Sequence, residues 1–440
     1  MTRIKVAFWG TLGVLTLLWL AADPIHSGLT PFSATWLSIV FFTGILAMGA
    51  MSVAMLLAIR SDRVESAVGG LDKGYRLHRW LGIATLVFAL AHWLWITAQG
   101  TFIARGWMPR GKRPPPPTHG ITAQLAHLQG PARGAGSWAL WGTAILVVLA
   151  LVQWFPYRWF LRTHRILAIA YLLLVFHTVV LMNTPYWTQP VAWVMVLLLI
   201  VGTAGAVIAL VRRVGRTRRA VGEVDVVDQH GDVHILQVGV CLKDKWSGHK
   251  AGQFAFVDFE DGEGPHPFTI SSPWKDDGHL TFLIKELGDY TRTLPSTLHK
   301  GDLVTVEGPY GRFDFHSARP RQIWISAGIG ITPFLSRMQE LAQHPDDKII
   351  DLYHATGKRD IRPIEQLRRL AKAAHVRLHI WVREEDGTLR AERIRAALPE
   401  WNSADVWFCG PVALGTELRH DFVEHGLPES AFHQELFHLR

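Results

Sequence analysis

Six long apolar segments dominate the first half of the chain. They extend over about residues 5–22, 33–59, 76–98, 137–155, 164–182 and 190–211. Each is close to the about 20 residues that a helix needs to cross a hydrocarbon core. The pattern predicts an α-helical membrane domain of six spans. An even number of spans places both ends of this domain on the same side of the membrane.

The second half has the shorter periods of a soluble protein. Five alternating runs between turn residues predict an antiparallel β-barrel, at Glu223–Gln229, Val233–Val240, Phe254–Phe259, His279–Glu286 and Leu303–Val306. Strands and helices then alternate, as is typical of an α/β doubly wound parallel sheet. The predicted strands are Gln322–Ser326, Ile349–His354, Val376–Val382 and Asp405–Cys409, and the predicted helices are residues 333–343, 362–373, 390–397 and 411–425. We therefore expect three domains, at residues 1–215, 216–318 and 319–440.

Two of the apolar segments each carry two histidines. The third segment holds His78 and His92, and the fifth holds His164 and His177. The spacings are 14 and 13 residues, near the roughly 14 residues of four helical turns, and each spans ~20 Å of helix. On each helix the two imidazoles are therefore expected to share one face. Two such helices side by side would form two stacked pairs of facing imidazoles, which predicts two haems with two histidine ligands each.

Single histidines in membrane segments also have a plainer interpretation. His78 and His164 each precede an arginine, as interfacial residues often do. The other two lie deeper, where ionisable side chains are rare and usually functional. Two matched pairs at nearly equal spacing favour haem ligation over four unrelated residues. Aromatic residues of these segments are expected either to pack the haems or simply to fill the membrane core: Phe88, Trp93, Trp95 and Phe176.

The positive charge of the chain indicates its orientation. The net charge is +8, and the excess surrounds the membrane segments, so it predicts topology and not nucleic-acid binding. With the N-terminus inside, five basic residues lie outside: Arg105, Arg110, Lys112, Arg113 and Arg133. The inner side would carry Arg3, Lys5, Arg60, Arg63, Lys73, Arg76, Arg79, Arg158, Arg162, Arg165, Arg212, Arg213, Arg216, Arg218 and Arg219. This excess predicts a multi-pass protein of the inner (plasma) membrane with a cytoplasmic N-terminus and cytoplasmic soluble domains.

Three further features complete the outline. The first segment has the length of a signal peptide, but the sequence around Asp23-Pro24 has no clean cleavage site, which favours a retained anchor. The outer loop 99–135 is long and contains four consecutive prolines. It is expected either to cap the outer haem, to bind propionates or an anionic substrate, or to be a solvated loop. The two cysteines, Cys241 and Cys409, suggest neither a disulfide framework nor a cysteine metal site.

Two short sequence motifs, here called words, carry candidate chemistry in the barrel region. The first is His266-Pro267-Phe268-Thr269-Ile270-Ser271-Ser272, which by periodicity alone is only a strand followed by a turn. The second is Lys285-Glu286-Leu287-Gly288-Asp289-Tyr290-Thr291-Arg292-Thr293-Leu294, where Gly288 lets backbone approach a ligand. The amides of the helix that follows can bind a pyrophosphate, and Arg292 can add a charged contact. A ligand-free helix start is the alternative.

A third word lies in the parallel sheet. Gly328-Ile329-Gly330-Ile331-Thr332-Pro333-Phe334 follows a predicted strand and opens a helix, with Pro333 suited to the first turn. A strand, a glycine-rich turn and a helix N-terminus together form a dinucleotide pyrophosphate site. The nucleotide type depends on charge after the next strand, where a basic residue favours NADPH and an acidic one NADH. Lys358 and Arg359 favour NADPH, with Arg383 as a second candidate, but the adjoining Asp360 leaves NADH open.

Together these words resemble a known family. The first resembles the flavin-binding signature of ferredoxin-reductase-type domains, in the His-Pro-Phe form that is typical of ferric reductases and NADPH oxidases. The second and third resemble the family's second flavin element and its nicotinamide-dinucleotide element. With paired histidines on the third and fifth spans, the resemblance covers almost the whole chain. It implies two b-type haems, FAD and a reduced nicotinamide dinucleotide.

The resemblance also implies roles near the end of the chain. Cys409-Gly410-Pro411 is similar to the family's Cys-Gly-Pro, where the cysteine lies near the nicotinamide; a plain buried thiol is the alternative. Leu414 replaces the family's usual methionine. The family places an aromatic residue over the flavin near the chain end, and Phe437 matches this position best, while Phe432 is expected to be core.

The sequence therefore predicts transmembrane electron transfer. Electrons would pass from NADPH through FAD, the inner haem and the outer haem to an external acceptor, either dioxygen (giving superoxide) or a ferric chelate. With both axial positions filled by histidine, the acceptor is expected at the haem edge. An alternative is a membrane flavin reductase that delivers electrons to a periplasmic partner protein. A purely structural role would require broken motifs, and these motifs are intact.

Overall fold

The computed structural model describes residues 2–22, 31–109, 120–152, 154–231 and 234–435. The chain forms two compact units that divide between Gly215 and Arg216. Within the described residues, six helical stretches are long and apolar enough to cross a membrane: Arg3–Ala22, Phe32–Leu57, Leu71–Ala104, Leu125–Leu151, Tyr157–Leu181 and Pro190–Leu210. The predicted architecture of an apolar six-helix part followed by sheet-rich domains is confirmed.

The first unit consists of helices. They are α1 Thr2–Ala22, α2 Pro31–Leu57, α3 Asp62–Val68, α4 Leu71–Thr97, α5 Gln99–Ala104, α6 Gly120–Leu151, α7 Tyr157–His164, α8 Leu167–Leu181 and α9 Pro190–Leu210. Helix α2 packs against α4 and α9, and α6 packs against α8. Helix α1 packs on α2, where the side chain of Leu15 fits closely over Gly49. Because α4 and α8 carry histidines, these packings determine what the imidazoles face.

The predicted boundaries of the fourth span and of the outer loop are wrong. The loop was expected to extend to residue 135, but α6 is already helical from Gly120 and contains Pro131. Residues 121–130 have good helix formers and apolar residues at helical spacing, and this local preference extends the helix outward. Before it, α5 and residues 105–109 are described, whereas the proline run lies outside the described residues.

The second unit begins with a six-stranded antiparallel barrel. Its strands are β1 Arg219–His230, β2 Ile235–Leu242, β3 Phe254–Asp258, β4 His266–Thr269, β5 His279–Lys285 and β6 Leu303–Tyr310, in the order β4-β3-β6-β1-β2-β5. A bridge between Ile270 and Phe282 links the two end strands. Strand β4 is the strand that the first word predicts, and Pro267 lies within it. An end strand tolerates proline, since one of its edges needs no ladder donor.

A five-stranded parallel sheet follows the barrel. Its strands are β7 Arg321–Ala327, β8 Ile349–Thr356, β9 Arg377–Val382, β10 Ala404–Cys409 and β11 Phe432–Gln434, in the order β11-β10-β7-β8-β9. The helices of the sheet are α11 Thr332–Gln343, α12 Ile361–Ala373, α13 Arg383–Asp386, α14 Ala391–Ala397 and α15 Val412–Glu424. Helix α10 Asp289–Thr297 belongs to the barrel, between β5 and β6. The predicted doubly wound sheet is confirmed, with the three-residue β11 as an addition.

Candidate functional site

The four membrane histidines form two pairs. The ring centres of His78 and His164 are 5.9 Å apart, with an angle of 60° between the rings. Those of His92 and His177 are 6.4 Å apart, at 81°. A metal–imidazole bond is about 2 Å long, so two imidazoles on opposite sides of one metal have ring centres roughly 6 Å apart. Both pairs have the separation that a shared haem iron requires.

Hydrogen bonds orient most of these rings. The Nδ1 atoms of His78, His92 and His177 each lie 2.9 Å from a backbone carbonyl oxygen, those of Ala54, Val40 and Ala132 respectively. A bond from Nδ1–H to a carbonyl leaves Nε2 as the ligating atom, as is usual for metal-bound histidine. His164 differs, because its buried Nδ1 has no hydrogen-bond partner within the part of the chain that the structure describes.

Two glycines lie beside the pair formed by His92 and His177. A Cβ atom on Gly136 of α6 would overlap Nδ1 of His177 and lie 2.5 Å from its Cε1. A Cβ on Gly44 of α2 would lie 3.4 Å from Cε1 of His92. The close approach of these backbones fixes where the two imidazoles stand, so both glycines support the paired arrangement.

A helix break separates the two histidines of the fifth span. Thirteen residues from His164 to His177 make only about 3.6 turns of a regular α-helix, so an unbroken helix would not place them on one face. The expectation of one continuous helix is wrong, because α7 ends at His164 and α8 begins at Leu167. Around the break, the N–H groups of Ile166, Ala168 and Ile169 donate to carbonyls three residues back. Such tighter turns add rotation per residue and so turn the second ring toward the face of the first.

Cys, His, Asp and Glu side chains do not gather in groups of three or more that could hold a metal ion anywhere in the described ranges. The paired imidazoles remain the candidate metal ligands there, and two ligands are what a haem needs from the protein.

The flavin word lies on the barrel's end strand β4. The imidazole of His266 stacks on the ring of Tyr290 from α10, with centres 4.3 Å apart and 19° between the planes. This stack joins the first flavin word to the second. Burial lowers the pKa of His266 to about 4, while Asp261 acts in the opposite direction, so the ring is neutral at pH 7. Burial raises the pKa of Tyr290, and the nearby carboxylates raise it further, so its hydroxyl stays protonated.

The two serines of the first word are engaged within the protein. The hydroxyl of Ser271 donates to the Thr281 carbonyl (2.9 Å), and that of Ser272 accepts from the Thr281 amide (3.0 Å). Their carbonyls accept bonds from α11, where Gln339 Nε2 reaches Ser271 O at 3.3 Å and Ser336 Oγ reaches Ser272 O at 2.8 Å. The serines therefore connect β4 to β5 and to the nucleotide sheet.

The second word forms the start of α10. The Thr291 hydroxyl accepts bonds from the amides of Leu287 (3.0 Å) and Gly288 (3.1 Å). Arg292 and Asp289 are exposed and 3.9 Å apart, close enough for only a weak ion pair. The helix start is thus preformed, with exposed residues in front of it that can meet an anionic group.

The glycine-rich word follows β7 as predicted. Gly328 has φ +56°, in the left-handed region that favours glycine. A Cβ on Gly330 would overlap the carbonyl oxygen of Cys409 and lie 2.6 Å from its carbon, so only glycine lets this turn pass the end of β10. The Thr332 hydroxyl donates to the Ile329 carbonyl (2.7 Å), and Pro333 occupies the first turn of α11. The third word and Cys409-Gly410-Pro411 therefore meet at one edge of the sheet.

Cys409 is buried, and burial raises the pKa of its thiol well above the usual range, with a further contribution from Glu435. Sequence reasoning missed Glu435, which is 4% exposed and lies beside Gly311 and the thiol. Its position two residues before Phe437 was the sequence feature that could have identified it. Lys285 opens the second word, and sequence reasoning assigned no separate role to it, yet its Nζ points toward Gly328. Phe437 lies outside the described residues, and Phe432 is buried in the core of the sheet.

The predicted 2′-phosphate residues already have acidic partners. Nε of Arg359 lies 2.9 Å from Oε1 of Glu385, and one of its terminal nitrogens lies 2.5 Å from Oε2. Lys358 is 4.0 Å from Glu384, so both basic side chains face the acidic helix α13.

Family comparisons agree with this description. Residues 43–175 match the model of a ferric reductase like transmembrane component, and residues 223–314 match that of an FAD-binding domain. The soluble half is 24% identical to the ferredoxin reductase component of 3-ketosteroid-9-alpha-monooxygenase from Rhodococcus rhodochrous, over 48% of this chain and 63% of that protein. It is 28% identical to respiratory burst oxidase homolog protein D of Arabidopsis thaliana, over 41% of this chain and 22% of that protein. The chain thus spans only part of the length of these relatives.

Two solved structures align with the chain at low similarity. A flavohemoglobin from Malassezia yamatoensis aligns over 92% of this chain and 97% of its own, with a TM-score of 0.47 and 19% identity. A ferredoxin reductase of carbazole 1,9a-dioxygenase covers 50% of this chain and 69% of its own, with a TM-score of 0.43 and 18% identity.

The two family matches and the apolar helices indicate a multi-pass membrane protein with an FAD-binding domain in its second half. The membrane part and the flavin part occur in the same chain and in the order that the sequence predicted. The chain belongs to the family of ferric reductases and NADPH oxidases.

Proposed function

We propose that the protein carries electrons across the membrane from a reduced nicotinamide dinucleotide, NADPH or NADH, to an acceptor on the outer side. The acceptor is dioxygen, giving superoxide, or a ferric chelate. The observation that carries the proposal is the pairing of four imidazoles at 5.9 and 6.4 Å in a chain with a flavin-type reductase unit. When bound, FAD supplies the change from hydride to single-electron transfer, and haem b supplies one-electron carriage.

In the membrane unit, the histidines would hold two b-type haems. His78 with His164 and His92 with His177 are the proposed ligands, and the carbonyl partners of three Nδ1 atoms fix ring orientation. Because iron ligation needs an unprotonated imidazole nitrogen, an Nδ1 that donates to a carbonyl leaves Nε2 available to the metal.

In the soluble unit, the glycine-rich turn and the start of α11 would bind the dinucleotide pyrophosphate through backbone amides. The neutral thiol of Cys409 would lie against the nicotinamide without carrying charge to it. The word on β4 and the start of α10 would hold FAD, with Phe437 as the proposed aromatic residue beside the flavin ring. Excess basic residues between spans support a cytoplasmic position for this unit and the inner membrane as the location.

A purified-protein experiment tests the proposal. The full chain in detergent should contain two haems and one FAD, by its reduced-minus-oxidised spectrum and cofactor extraction. It should oxidise NADPH or NADH with oxygen or a ferric chelate as acceptor. His92→Ala should lose one haem, whereas the control His127→Ala, at an exposed position on α6, should keep both. One haem or none in the unmodified protein would contradict the proposal.

A second candidate function follows from the relatives of the soluble half. Two of them are by name reductase components of monooxygenases, from Rhodococcus rhodochrous and Pseudomonas aeruginosa. On this alternative the protein delivers electrons to a periplasmic partner protein. It predicts slow turnover with oxygen or ferric citrate and a large acceleration when a periplasmic extract supplies the partner.

A further inference from the structure

The loops after β8 and β9 lie at the edge of the sheet where the dinucleotide is expected. β8 neighbours β7, whose glycine-rich turn faces Cys409 on β10, so the nicotinamide side of the edge is toward β10. The opposite side, toward β8 and β9, remains for the adenosine half of the nucleotide, because ligands of such sheets bind outside the carboxyl ends of the strands. This inference rests on the proposed function, in which the sheet binds NADPH or NADH.

Arg359 is the best-placed cation for a 2′-phosphate, and Glu385 holds it in a two-point ion pair. Nε of Arg359 lies 2.9 Å and 3.2 Å from the two carboxylate oxygens, and a terminal nitrogen lies 2.5 Å from Oε2. Two parallel N–H donors matched to two oxygens is the geometry with which arginine also binds phosphate. Glu385 therefore occupies the face of the guanidinium that a 2′-phosphate would use.

The two loops are joined at further points. The amide of Glu384 donates to the Gly357 carbonyl at 3.3 Å, and Lys358 Nζ lies 4.0 Å from Glu384 Oε1. Asp386 accepts the Val382 amide at 2.8 Å, which fixes the start of α13. The carboxylate that faces Arg359 thus stands on a short helix that is hydrogen-bonded to β9 through the Asp386 side chain and to the β8 loop through the Glu384 amide.

The local charge is unfavourable for an added dianion. The loop 357–360 after β8 and the helix α13 after β9 contribute three cations, Lys358, Arg359 and Arg383, against four carboxylates, Asp360, Glu384, Glu385 and Asp386. NADPH must bring its 2′-phosphate into this balance, while NADH brings an uncharged hydroxyl that an acidic residue can accept.

We propose that Glu385 determines the choice of nucleotide by occupying the guanidinium of Arg359, so that the protein uses NADH in preference to NADPH. The pair is about half exposed, with side chains 51% and 46% accessible. An exposed pair contributes little to stability. Its main effect is therefore on what else Arg359 can bind, and removing the carboxylate should release the arginine without unfolding the sheet.

The test compares kcat/KM for NADH and for NADPH in the full-length, FAD-loaded protein, with ferricyanide as an artificial acceptor. The unmodified protein should favour NADH. Glu385→Gln should raise kcat/KM for NADPH about 10-fold, the size expected of a gained hydrogen bond to a charged group, with little change for NADH. Arg359→Ala combined with Glu385→Gln should abolish this gain, because the gain depends on the released guanidinium.

A matched control is Glu365→Gln on α12, which removes the same charge from an exposed pair with Arg369. It should leave the ratio of the two nucleotides unchanged. Preference of the unmodified protein for NADPH, or a ratio that Glu385→Gln does not move, would overturn this inference alone. Failure of both nucleotides to reduce the flavin would overturn the proposed function together with it.

Discussion

At the residue scale, the pairing of His92 and His177 depends on the absence of a side chain at Gly136. Its hydrogen faces Nδ1 of His177, which in turn bonds the Ala132 carbonyl one turn earlier on the same helix. Glycine permits a backbone to approach a ring this closely, and no other residue does. A single methyl group there displaces the ring from the position in which the Ala132 carbonyl holds it.

Gly136→Ala is therefore expected to lower the haem content from two per chain toward one. The added Cβ must push His177 off the axis that it shares with His92, and a shift of about 1 Å already impairs a site that needs fixed geometry. Haem per polypeptide, measured by pyridine haemochrome absorbance, checks this. Gly134→Ala on the same helix is the control, because nothing lies within 4 Å of its Cβ. Equal haem content in both variants would contradict the prediction.

His354 gives the soluble unit a dependence on acid. Its Nδ1 lies 2.8 Å from the Ser326 hydroxyl, and burial lowers its pKa to about 4. Between about pH 6.5 and pH 4 the unfolded chain binds a proton that the folded chain does not, so stability falls as the pH falls through this range. The contribution is at most about 3 kcal/mol at the acid end, from 1.36 kcal/mol per pKa unit.

His354→Gln should reduce this acid sensitivity, since glutamine keeps a polar partner for Ser326 and does not titrate. The thermal midpoint of flavin release from the full chain, compared at pH 7 and pH 5, is the measurement. The same substitution at the exposed His420 serves as control. If His354→Gln and the unmodified protein lose the same number of degrees on acidification, another group causes the effect.

At the element scale, the helices of the membrane unit are joined by a buried polar contact. The hydroxyl groups of Tyr171 on α8 and Ser52 on α2 are 2.9 Å apart, and Tyr171 also reaches the Leu199 carbonyl of α9 at 3.4 Å. A Cβ on Gly202 of α9 would overlap the Tyr171 hydroxyl and lie 3.2 Å from the Ser52 Cα. Three helices meet at one point because a small residue stands opposite a large one, as is common in membranes.

Gly202→Ala should destabilise the membrane unit more than Tyr171→Phe does. Loss of two hydrogen bonds within a membrane, at about 0.6 kcal/mol each, costs about 1 kcal/mol, whereas overpacking a buried site costs about 1–3 kcal/mol. The double variant should recover part of the loss from Gly202→Ala, because phenylalanine removes the overlapping oxygen. Thermal unfolding in detergent of the three variants measures the coupling. Additive effects would show that the two side chains do not meet.

At the scale of the whole molecule, two units with separate cores carry separate parts of the proposed reaction. The barrel and the parallel sheet belong to one unit, joined by the bonds from α11 to the serine carbonyls of the flavin word. The histidine pairs belong to the other. Damage to one unit should therefore leave the chemistry of the other measurable.

His177→Ala is expected to abolish transfer to an outer acceptor but to leave ferricyanide reduction by NADH or NADPH within about twofold, since substitutions in separately packed units act nearly independently. The first activity is measured in proteoliposomes in which the acceptor has access only to the outer face of the membrane unit. The second is measured with the protein in detergent solution. Equal loss of both activities would show that the flavin unit depends on the outer histidine pair.

The sequence alone was enough to predict the number of membrane spans, the histidine spacing, the three words of the second half and the order of the domains. These are properties of local composition and period, which the chain expresses before it packs. Packing supplied what those patterns cannot contain: the helix break after His164, the glycines beside the rings, and the burial of Glu435 beside Cys409. It also placed Glu385 against Arg359, because two loops far apart in sequence meet only when parallel strands align at one edge.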